Sequence, residues 1–96
     1  MTDAAIEIPT TVDGWAAWTS TVSASDWTGH EKAAALSYAA QKIARTAWNA
    51  PVRERARDLA AAVRLDADRL QDAGADPLTG LDSLVARGVV SLANRP

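Results

Sequence analysis

Residues 36–63 read LSYAAQKIARTAWNAPVRERARDLAAAV, two stretches of helical periodicity divided by Asn49-Ala50-Pro51. Before the break, Leu36, Ala40, Ile43 and Ala47 fall within about 60° of one another on a helical wheel, with Tyr38, Gln41, Lys42 and Arg45 opposite. Beyond it, Val52, Ala56, Leu59, Val63, Ala67 and Leu70 make one stripe whose spacing is close to a heptad, with alanine at alternate places. Pro51 cannot donate a backbone hydrogen bond and disfavours helix at Ala50, so the first helix stops here. Proline at the first helical position then opens the next helix. No stretch alternates apolar and polar residues as a half-buried strand does, and alanine on both inner faces predicts a close helix–helix approach.

Toward the N-terminus, Thr28-x-x-Glu31 is the pattern of a capping box, with Trp27 just before the cap and Gly29 at the first helical position. An earlier helix starts at Thr10 or Thr11, after Pro9, and places Val12, Trp15, Trp18, Thr19 and Val22 on one side. Toward the C-terminus, Gly74 is a left-handed stop and Asp76-Pro77 a cap followed by a first-turn proline. Leu78, Leu81, Leu84, Val85, Val89 and Leu92 then share a broad face, with Gly88 in its centre as a point of close approach. The expected fold is all-α, a small compact bundle of about four helices over roughly 11–25, 29–49, 51–73 and 77–93. Residues 1–10 form a short extended tail, and 11–96 a single helical domain with neighbouring helices joined by short loops.

At 96 residues the chain has room for one modest core. No apolar run has the length a membrane span needs, and the first residues lack a basic stretch followed by an apolar one, so a cytoplasmic protein with no membrane contact is expected. The abundance of alanine and the preference for arginine over lysine suit a bacterial or phage gene rich in G and C. The net charge of −2 is unevenly spread. Residues 1–31 carry Asp3, Glu7, Asp13, Asp26 and Glu31 with no lysine or arginine, whereas Lys42, Arg45, Arg53, Arg55 and Arg57 face Glu54 alone.

Chemistry-bearing patterns are few. There is no cysteine, and the sole histidine, His30, lacks carboxylates at helical ligand spacing; it reads as a solvated residue near a helix start, and no metal or other cofactor is expected. Neither a glycine-rich phosphate loop nor a nucleophile with an evident base is present, so no catalytic residues and no enzyme activity are expected. Asp66 and Asp68, two positions apart on a helix, point away from each other. Two surface signals remain. Arg53, Arg57 and Arg64 fall within about 40° beside the core stripe, extended by Lys42 and Arg45, as an anionic-partner contact; the alternative is internal pairing, Arg64 with Asp68 and the others with neighbouring acids. Leu65 and Val90 point away from their stripes, and Trp18 or Trp27 exceed what so small a core readily covers, which makes these four the expected contacts for a protein partner.

Trp27-Thr28-Gly29 also resembles the turn motif of the WXG100 family, helical hairpins exported by type VII secretion, usually as dimers. The resemblance covers three residues and implies a secreted partner protein with long helices on either side of the turn. In that family the motif lies near mid-chain, and an acidic residue follows a late tyrosine by four positions. Here a short helix precedes the motif, and Lys42 stands at that spacing from the sole tyrosine, Tyr38. The leading expectation is a non-catalytic helical protein–protein interaction module, an accessory, assembly or regulatory protein able to form homo-oligomers. A nucleic-acid-associated regulator using the basic 42–64 region is the second reading, and a WXG100-like secretion partner the third.

Overall fold

In the computed structural model, which describes residues 8–87, apolar periodicity becomes four α-helices and no strand among the described residues. They are α1 (Val12–Ala24), α2 (Gly29–Arg45), α3 (Ala50–Asp72) and α4 (Pro77–Ala86). Each boundary has a local cause. Thr11 Oγ1 accepts from the Gly14 N–H at 2.9 Å to start α1. At α2 the capping box is complete: the Glu31 N–H donates to Thr28 Oγ1 at 3.1 Å, and the Thr28 N–H donates to Glu31 Oε1 at 3.0 Å. α3 ends in a Schellman turn, with Ala75 N–H on the Leu70 carbonyl and Gly74 N–H on the Gln71 carbonyl, both at 2.9 Å. Gly74 there adopts φ +103, a region L side chains rarely enter. Asp76 caps α4 by accepting from the Leu78 N–H at 3.1 Å.

α2 is the central helix and packs against all three others, most extensively against α3. Its expected single face is therefore too narrow: Ala33, Ala34, Ala35, Leu36, Ala39, Ala40 and Ile43 are all buried. Tyr38, expected outside, is half-buried with its ring 6.3 Å from that of Trp15. Small side chains let neighbours reach α2 on several sides. Ala56, Val63 and Ala67 of α3, Leu84 of α4, and Val12, Trp15, Trp18 and Val22 of α1 complete the core. Trp15 and Trp18 stack edge-to-face at 5.3 Å.

Three expectations are corrected. α2 stops at Arg45 instead of 49, because Thr46 turns to extended backbone and both its N–H and its hydroxyl donate to the Lys42 carbonyl. The Ile43 carbonyl, which another helical turn would offer to Ala47, accepts from Trp48 Nε1–H at 2.8 Å. Ala47 is consequently exposed, outside the face assigned to it. Leu78, placed on the inner face of α4, is 72% exposed. α4 lays Gly80, Ser83, Leu84 and Arg87 toward α2 instead, for a polar reason given below. Close approach is made by Gly80: a Cβ there would lie 1.8 Å from the His30 carbonyl oxygen. Gly88, Val89, Val90 and Leu92, with the end of the helix expected over 77–93, lie outside the described residues, as do residues 1–7 of the expected tail. The Trp27-Thr28-Gly29 turn joins α1 and α2 of this four-helix globule, which is not a hairpin of two long helices.

Candidate functional site

Two polar constructions stand out, and they have different characters. The first is built around Glu31, 2% exposed. Its carboxylate accepts from the Thr28 N–H, from Ser83 Oγ at 2.6 Å and from Arg87 Nη1 at 2.6 Å. Burial opposes its charge, but the hydrogen bonds from Ser83, Arg87 and Thr28, with the Arg87 charge, outweigh that and hold the carboxyl at about 2. The Arg87 guanidinium also lies 5.9 Å from the centre of the Trp27 ring. Nearby, the Asp76 N–H donates to His30 Nδ1 at 2.7 Å, so His30 is exposed yet tied to the start of α4. The bonds from Ser83 and Arg87 to Glu31 and from Asp76 to His30 join α4 to the start of α2. It is a structural lock, with the carboxylate fully engaged.

The second construction is a groove of about 400 Å³ where the end of α2, the 46–49 connection and the start of α3 meet. Ala47, Trp48 and Ala60 supply apolar surface above the buried Ile43, and Arg53 and Arg57, one helical turn apart, supply charge. Trp48 is fixed by its bond to the Ile43 carbonyl, and Arg53 Nη2 donates to the Trp48 carbonyl at 3.4 Å. The dipole of α2 would present negative charge here, but the Lys42 and Ile43 carbonyls are covered by Thr46 and Trp48. α3 begins with its positive end, without an acidic residue in its first turn and without a side-chain cap from Asn49. A helix start ordinarily favours acids; with none in the first turn of α3, its positive end adds to the charge of Arg53 just beyond that turn.

The ion pairs among the described residues are Arg55–Asp13, Arg69–Asp66 and Arg87–Glu31. Lys42, Arg45, Arg53, Arg57 and Arg64 thus have no carboxylate partner among the described residues, and the expected Arg64–Asp68 pair is not formed. Only Arg53 and Arg57 of these five line the groove; Arg45 is exposed, and Lys42 and Arg64 are half-buried. Of the expected partner contacts, Trp18 is corrected: it is a core residue, 8% exposed, stacked on Trp15. Trp27 is half-buried beneath Arg87, Leu65 is 50% exposed, and Val90 lies outside the described residues. Trp48 was not among the expected site residues, although its place just before the helix break marks it as a turn residue. No group of three or more His, Cys, Asp or Glu residues that could hold a metal ion occurs among the described residues, and no helix among them is long and apolar enough to cross a membrane.

No family model, curated protein or solved structure matches this chain.

Proposed function

We propose that this protein is a non-catalytic interaction module that docks a protein surface in the α2–α3 groove. The observation that carries this reading is the pairing of an apolar floor, Ala47, Trp48 and Ala60, with two arginines that have no carboxylate partner among the described residues. Charge left unpaired beside apolar surface, at a helix start that would favour acids, suits a partner that brings both complements.

A photo-reactive amino acid at Ala47, which lines the groove and is exposed, tests this in a lysate of the source cell. The expected result is one dominant cross-linked protein species, lost when Arg53 and Arg57 become glutamate. Cross-links no stronger than those from a probe at Asp72 would contradict it.

The five uncompensated cations also favour a second reading, contact with a nucleic acid. Glu54, Asp58, Asp68 and Asp72 are exposed on the same helix, however, and would repel a polyanion. Oligonucleotide binding that falls steeply with salt is the signature to look for.

A further inference from the structure

Helix α3 carries two lines of opposite charge side by side. Arg53, Arg57, Ala60 and Arg64 fall within about 60° of one another, and the first three of them line the groove; Glu54, Asp58, Ala61, Leu65, Asp68 and Asp72 fall within about 80° on the exposed side next to it. Neither line is neutralised from within. None of Glu54, Asp58, Asp68 and Asp72 has a basic partner among the described residues, although Arg64 and Asp68 have the spacing at which helices commonly pair charges. At the middle of the acidic line stands Leu65, half exposed, the one large aliphatic side chain there.

We propose that the occupant of the groove is a second copy of this chain, with the acidic face of one α3, centred on Leu65, seated in the α2–α3 groove of another. The proposal rests on the reading of the groove as a docking site and names what docks. Complementarity is the argument. Arg53 and Arg57 are one helical turn apart, as are Glu54 and Asp58, so carboxylates of one copy match guanidinium groups of the other at a single spacing. Leu65 brings an aliphatic group to a floor of Ala47, Trp48 and Ala60. A polyanion approaching the arginines meets the acidic line beside them, whereas a second copy meets that line with arginines of its own. Charges that stay apart within one molecule are compensated between two.

Sedimentation velocity on the full chain tests this, with three proteins beside the wild type: Arg53→Glu/Arg57→Glu, Glu54→Arg/Asp58→Arg and Leu65→Ser. All these positions are exposed, and circular dichroism checks that each variant keeps its helix content. The wild type should form dimers or larger species as concentration rises, less so as salt is added. Each charge reversal should weaken association by about tenfold or more, since like charges then face each other. Leu65→Ser should weaken it without changing the salt dependence. An equal mixture of the two reversed proteins should recover association, because the reversed groove now matches the reversed face.

A wild type that stays monomeric up to about 1 mM overturns the proposal. So does association that neither reversal changes, or a mixture that associates no better than its components. A monomer that still cross-links a host protein through Ala47 removes self-docking and leaves the groove's role as a docking site standing. Oligonucleotide binding abolished by the arginine reversal, with no self-association, assigns the groove to a polyanion and overturns both.

Discussion

Glu31 shows how one side chain can serve two levels of structure. As the third residue of α2 it closes the capping box, and its second oxygen reaches Ser83 and Arg87 of the last part of the fold. The Ser83 and Arg87 bonds hold its folded carboxyl at about 2 against an ordinary 4.5. A lowered carboxyl pKa means that the stabilisation is complete above the unfolded value and drains away as pH falls from about 4.5 toward 2, a contribution on the order of 3 kcal/mol. Urea melts from pH 7 to pH 3 should show that loss, and Glu31→Gln should be less stable at pH 7 and much flatter with pH. Equal pH slopes for the two proteins would mean that the carboxylate is not engaged. Gly80 gives a steric prediction. Gly80→Ala puts a methyl group 1.8 Å from the His30 carbonyl oxygen, so α4 has to shift off α2, and a loss of at least about 3 kcal/mol should appear in thermal melts. The capping role of Glu31 was legible in Thr28-x-x-Glu31, because the partners are three residues apart. Its burial was not, because Ser83 and Arg87 stand 52 and 56 positions away and no local pattern ties them to it.

Among the elements, α4 and α2 show where apolar periodicity misleads and why. Leu78, Leu81, Leu84 and Val85 define a broad apolar face, yet α4 turns so that Gly80, Ser83, Leu84 and Arg87 meet α2 and Leu78 faces solvent. An unpaired buried carboxylate costs more than one exposed leucine, so the polar requirement sets the rotation of the helix. The end of α2 is likewise set by side chains, those of Thr46 and Trp48. Trp48→Phe keeps most of the apolar surface but removes the bond to the Ile43 carbonyl, and should cost about 1 kcal/mol. Amide exchange at Ala44–Ala47 should quicken in that variant; unchanged exchange would show that the indole does not hold the turn. Helices α1 and α3, by contrast, lay much as their stripes implied, with Trp15, Val22, Val63 and Ala67 buried. Their boundaries were written in nearby residues: Thr11, Pro51 and Gly74.

For the whole molecule, the arrangement of charge matters more than its sum. A net charge of −2 conceals arginines along a groove and carboxylates along the neighbouring face of α3. The line of Arg53, Arg57 and Arg64 was legible from helical spacing. The groove itself was not, because its floor comes from Ala47 and Trp48, brought to α3 only when α2 stops early. Trp18, taken from the sequence as a contact, went instead to the core, and iodide should quench Trp48 and Trp27, both half-buried, while leaving Trp15 and Trp18 dark to it. Four equally accessible tryptophans would contradict the packing of α1.

The most direct test of the central claim, that the α2–α3 groove docks a second copy of this chain, is a concentration series of proton–nitrogen correlation spectra on the intact chain. Shifts should gather at Ala44, Ala47, the Trp48 indole, Arg53 and Arg57, together with the 54–72 face carrying Leu65, and should shrink with salt. Spectra unchanged up to about 1 mM, or shifts confined to Leu78 and Leu81, would contradict it.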